Sequence, residues 1–176
     1  IGEVKGIYLS RWILLRSLLL LIFIAGCSND KDEPEEVIKS PLFGEWVSSC
    51  NSDDTDPEDE ESSISRFTFT DTNVTITESI YSGWACERLL IEFTLLGTYK
   101  IGELVSTPAG IDATKVDFML TEGSDTFGNQ YDDYDTSFLQ LFVIEGTYLY
   151  MGDNLGEEES IRPQEIDFST WLEKVE

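Results

Sequence analysis

The residues of this chain best equipped for chemistry are carboxylates. Asp53, Asp54, Asp56, Glu58, Asp59, Glu60 and Glu61 crowd one stretch, and Asp132, Asp133 and Asp135 interleave with Tyr131 and Tyr134. Hard cations such as Ca²⁺ need oxygen-rich loops, so Asp53, Asp54, Asp56, Asp132, Asp133 and Asp135 are the candidate ligands. Asp153, Asn154 and Glu157 form a further set, although Asp153-Asn154 followed by Gly156 also reads as a turn. Residues 52–63 lack the glycine and the spaced ligands of an EF-hand, and like charges at that density favour a solvated loop. Two carboxylates can also cleave a glycosidic bond. With 35 acidic residues, however, almost any fold brings some pair to a workable separation. No catalytic residue is assigned, and the expectation is a protein that is not an enzyme.

The chain has no histidine. That removes a Ser-His-Asp or Cys-His relay, and with it His-ligated zinc or haem. Eleven basic residues against the 35 acids give a formal charge of −24. Such a field repels a phosphate backbone, so nucleic acid is excluded as a partner. It either solubilises the surface or collects cations. No cofactor is implied beyond Ca²⁺ at the aspartates above.

Lys5, Arg11 and Arg16 precede an apolar run over 18–25. A positive flank, a short apolar core and small residues after it make a secretory signal. The run is too short for a bilayer core, which needs about 20 apolar residues. It ends Ile24-Ala25-Gly26-Cys27, which resembles the bacterial lipobox. The resemblance implies a signal peptide over 1–26, cleavage before Cys27, and a lipid on that thiol that anchors the protein to a membrane. Ser28 rather than Asp follows the cysteine. By the same resemblance that favours the outer membrane of a Gram-negative envelope, facing either side. An ordinary signal or uncleaved anchor with an incidental cysteine is the alternative.

Once Cys27 takes the lipid, Cys50 and Cys86 are the remaining pair of three cysteines. Export places them in an oxidising compartment, where a disulfide is the natural state. It would close a loop of about 37 residues and stabilise by roughly 3–4 kcal/mol. Two buried free thiols or a redox pair is the rival reading, without C-x-x-C spacing to support redox work.

Residues 27–41 form the lipidated cysteine and a polar tether with Pro34 and Pro41, too poor in apolar surface to fold. The domain spans 42–176. A first strand opens at Phe43-Gly44-Glu45-Trp46-Val47 and ends near Cys50. Ile64, Phe67 and Phe69 lead through Asp71-Thr72-Asn73 into Val74-Thr75-Ile76-Thr77-Glu78, which predicts a β-hairpin. Residues 81–86 read as a loop marked by Gly83, and 88–101 as a long strand bulged at Gly97. Val116, Phe118 and Leu120 share a face of the next strand. Residues 138–144 and 147–151 form a second hairpin about Glu145-Gly146. Phe168, Trp171, Leu172 and Val175 stand at i, i+3, i+4, i+7, the spacing of a short C-terminal helix. The fold expected is all-β, a single small antiparallel barrel or sandwich of about seven to eight strands.

Gly44-Glu45-Trp46 resembles the G-x-W of lipocalin-like barrels, whose tryptophan plugs one end of the barrel. The resemblance implies a floor built on Gly44 and Trp46, with Arg162, on or beyond the last strand, packed over the indole. Trp84, between Gly83 and Ala85, is free either to meet a partner or to pack on the disulfide.

Three function classes follow. A carrier of a small apolar molecule needs an internal cavity of about 300 Å³ or more. A module that binds an envelope protein or glycan, with or without Ca²⁺, needs a filled core and an exposed apolar patch. A hydrolase needs converging carboxylates, one with a raised pKa.

Overall fold

The computed structural model describes residues 39–52, 61–131 and 136–176. The signal segment, Cys27, most of the tether and the six aspartates expected as Ca²⁺ ligands lie outside those residues. Residues Lys39–Glu176 form one compact unit.

Ten strands make that unit: β1 Gly44–Ser48, β2 Asn51–Ser52, β3 Glu61–Phe69, β4 Asn73–Ser82, β5 Arg88–Ser106, β6 Asp112–Asp125, β7 Gln130–Tyr131, β8 Thr136–Glu145, β9 Tyr148–Met151 and β10 Leu172–Val175. Eight of them run β1-β10-β9-β8-β6-β5-β4-β3, and a β1–β3 ladder closes the ring. Every pairing is antiparallel. The domain is thus a closed eight-stranded barrel, with β2 and β7 as two-residue additions beside β3 and β6.

Alternation decides which side chains enter the barrel. Phe67 and Phe69 on β3, Val74 and Ile76 on β4, Val116, Phe118 and Leu120 on β6, and Phe138 and Phe142 on β8 share the interior. The residues between them, such as Arg66, Lys115 and Asp117, face outward. Bulges keep this parity where the sheet must coil. One falls at Leu96/Gly97, where Gly97 lies so close to the Met119 carbonyl that a Cβ would collide with it.

Both predicted hairpins are present. The C-terminal helix is not: Leu172–Val175 is strand β10, wedged between β1 and β9. Its apolar spacing fits a helix and a strand equally, and the gap between β1 and β9 decides, because a strand there satisfies two rows of backbone groups. Phe168 and Trp171 instead pack outside the barrel on Tyr150 and Tyr148. Two boundaries also move outward. Strand β4 continues through Ser82, shortening the 81–86 loop to a turn, and β5 runs on to Ser106.

Residues 152–171 run over the outside of the barrel, except that Leu155 and Glu157 reach its open end. Ile166 packs on Ala113 and Leu141, the outward apolar residues of β6 and β8. A 3₁₀ turn, Glu159–Ile161, leads to Arg162, whose guanidinium is the fastening. It donates to the Val116 and Gln140 carbonyls at 3.3 and 2.8 Å, to Asp117 at 2.6 Å, and to Glu159 at 2.8 and 2.9 Å. Glu159 also meets Lys115 at 2.8 Å. Gly156 lets the strap turn tightly, since a Cβ there would lie 2.7 Å from the Arg162 Cα.

The bonds from Arg162 and then Lys115 hold the Glu159 carboxyl at about 2, below its ordinary 4.5. A depressed carboxyl stabilises the fold fully above the unfolded value and loses that contribution as pH falls through the folded one. Thermal stability is expected to fall between pH 4.5 and 2, and Glu159→Gln to flatten that slope. Melting curves at stepped pH check this, and identical slopes in both proteins would refute it.

Candidate functional site

The two ends of the barrel differ. At one end the chain enters at Leu42 and leaves at Val175, and the β3–β4, β5–β6 and β8–β9 turns gather there. Trp46 closes it from within. The indole is 1% exposed, packs in one cluster with Leu42, Phe69, Val74 and Tyr99, and donates from Nε1 to the Leu42 carbonyl at 2.7 Å. Tyr99 adds a bond from its hydroxyl to the Thr70 carbonyl at 2.7 Å, latching the β3–β4 turn over the floor.

Arg162 belongs to the outer strap described above. The cation that lies over Trp46 is Lys174, paired with it across β1–β10, its Nζ 5.0 Å from the ring centroid. Gly44, at φ +115°, takes a conformation that favours glycine where the chain turns into β1.

Toward the other end the interior is not filled. A cavity of about 340 Å³ is lined by Phe67, Ile76, Leu95, Leu120, Phe138 and Met151, with Leu155 beside them. A smaller recess of about 210 Å³, edged by Ser48, Ser65 and Leu149, shares Met151 with it. Three polar side chains reach the main cavity on the same parity: Glu78 on β4, and Thr136 and Gln140 on β8. Gln140 is 3% exposed and bonded through both amide atoms: it donates to the Asn154 carbonyl at 2.5 Å and accepts from Gly152 N–H at 2.9 Å. Glu78 accepts from the Ser65 hydroxyl at 2.5 Å.

The Cys50–Cys86 disulfide stands at this open end, joining the segment after β1 to the β4–β5 turn. Ser62 reinforces the junction, donating to the Gly83 carbonyl at 2.5 Å and accepting from Cys86 N–H at 3.0 Å. Trp84 lies in the same turn and is 37% exposed, its carbonyl 3.7 Å from the Cys50 sulfur.

Sequence parity marks Glu78 as the next residue on the face of Val74 and Ile76, yet the acidic clusters draw attention elsewhere. Gln140 carries no signal of its own beyond sharing that parity with Phe138 and Phe142. Asp153 and Asn154 serve the strap, through a backbone bond from Asp153 to Glu165 and the Asn154 carbonyl that meets Gln140. Glu157 stands at the cavity rim. Among the described residues no group of three or more Cys, Asp or Glu side chains converges as a metal site. The carboxyls displaced in pKa there, Asp125, Glu159 and Asp167, are all displaced downward, away from what a general acid needs.

A closed antiparallel barrel with one sealed end and an apolar hollow at the other is a shape compatible with ligand binding. No protein-family model matches the chain, and comparison with curated proteins finds no match.

Proposed function

We propose that this is a membrane-anchored envelope lipoprotein whose barrel holds a small apolar ligand, a lipocalin-like carrier rather than an enzyme. The observation that supports it is the hollow behind the Trp46 floor, about 340 Å³ and walled by Phe67, Leu95, Leu120 and Phe138. Packed interiors leave few voids larger than a water molecule. A space of this size that the sequence could have filled with larger side chains is suited to an occupant.

The lipobox-like Ile24-Ala25-Gly26-Cys27 supplies the anchor, and Ser28 favours the outer membrane. Among the described residues no helix is long and apolar enough to cross a membrane.

One experiment tests both parts. Expressed as a full chain in a Gram-negative envelope, the protein is expected in the membrane fraction, and Cys27→Ser in the soluble fraction. The native mass of that soluble variant is then compared with its denatured mass. A difference of a few hundred daltons is the expected result; equal masses overturn the carrier reading.

A second reading, an interaction module, has one observation in its favour. Tyr148, Trp171 and Val175 form exposed apolar surface on the β9–β10 side, at 38%, 41% and 48% exposure. Capture of an envelope protein by the soluble variant, lost on Trp171→Ser, would favour it.

A further inference from the structure

The inward residues of β4 read Val74, Ile76, Glu78, so a carboxylate continues an aliphatic wall of the cavity. Ser65 sits opposite Glu78 in the β3–β4 ladder and bonds one of its oxygens. Glu157 adds a second carboxylate at the rim. Among the described residues that line the cavity there is no lysine or arginine. The basic residues of β3 and β6 are committed on the outer face: Arg66 to Glu45, and Lys115 to Glu103 and Glu159. A carboxylate set among apolar walls is costly unless an opposite charge or a set of donors reaches it. Glu78 is half-buried, and among side chains one hydroxyl reaches it.

Resting on the reading of the cavity as a ligand site, we propose that its occupant is a cationic amphiphile. A primary ammonium would pair with Glu78, and a short apolar body would lie along Phe67, Leu95, Leu120 and Phe138. Charge-assisted N–H···O bonds are about twice as strong as neutral ones. An anionic head group would face two carboxylates, and a neutral one would leave Glu78 without a counter-ion. The same cavity wall therefore selects for sign as well as for apolar size.

The test uses three eight-carbon probes: n-octylammonium, n-octanol and n-octanoate. Each is titrated by calorimetry into the full-length Cys27→Ser protein at neutral pH and about 0.15 M salt, where long-range attraction to the acidic surface is screened. Octylammonium is expected to bind about tenfold or more tightly than octanol, and octanoate most weakly. Glu78→Gln is expected to bring octylammonium to within about twofold of octanol while leaving octanol unchanged.

If the three probes bind alike, the cavity reading stands and the charge selection falls. If none binds, the cavity reading falls and takes the selection with it. Octylammonium binding that survives Glu78→Gln belongs to the acidic surface and overturns the proposal. Should Glu78→Gln fail to fold, Met151→Trp fills the cavity from another wall, and octylammonium binding that persists in it is equally fatal.

Discussion

Trp46→Ala is expected to destabilise the domain by about 3–5 kcal/mol, the range for emptying a large buried aromatic site. The ring is almost fully buried, so the loss combines transfer free energy with a void that the surrounding strands cannot fill. Strands β1, β3 and β10 are held in ladders on either side of it, which limits collapse. The change also strips the Leu42 carbonyl of its indole donor and Lys174 of its aromatic face. Denaturant midpoints give the measurement, with Trp84→Ala as the comparison because that ring is over a third exposed. Trp84→Ala should cost clearly less than Trp46→Ala, since less of the ring leaves water on folding. If the two variants shifted the midpoint equally, Trp46 would not be the plug of the closed end.

The second large effect concerns the other end. Cys50→Ser should cost about 4 kcal/mol, because the bridge closes a segment of sequence separation 36 whose unfolded freedom it removes. For a domain of this size that corresponds to a fall in melting temperature on the order of 10–20 °C. Reductant should lower the wild-type melting temperature to that of the variant and leave the variant unchanged. A variant that melts with the oxidised wild type would mean the bridge does not stabilise the domain. The loss also has a place: it frees the segment after β1 from the β4–β5 turn, so the cavity mouth should loosen before the Trp46 floor.

Much of this architecture is legible in the chain because the hairpins state their period openly. Ile64 to Glu78 alternates on both sides of Asp71-Thr72-Asn73, and Phe138 to Met151 on both sides of Glu145-Gly146. Cysteine arithmetic places the bridge for the same kind of reason, since few pairings exist. Closure is harder to see. Leu172-Glu173-Lys174-Val175 has no local preference that separates strand from helix, and what settles it is a gap formed by β1, about 125 residues earlier in the chain. The strap is hidden in a different way. Residues 152–171 look like acidic loop, and only Arg162, buried among carbonyls of β6 and β8, reveals that they are packed. The cavity was the least visible feature. A void is a property of volumes meeting across the barrel, and no single strand carries it. Glu78 was readable from its parity with Val74 and Ile76, but 35 acidic residues make any one of them look unremarkable.

The final stave of the barrel has its own consequence. Four residues, Leu172–Val175, separate a cylinder from an open ribbon. A chain stopped at Trp171 would hold nearly all of the floor and the walls of the cavity, yet present β1 and β9 as two bare edges. Bare edges recruit other strands, including those of an identical chain. Until Leu172–Val175 is in place the sheet therefore stays adhesive at both β1 and β9, and closure waits on a segment about 125 residues from the strand it joins.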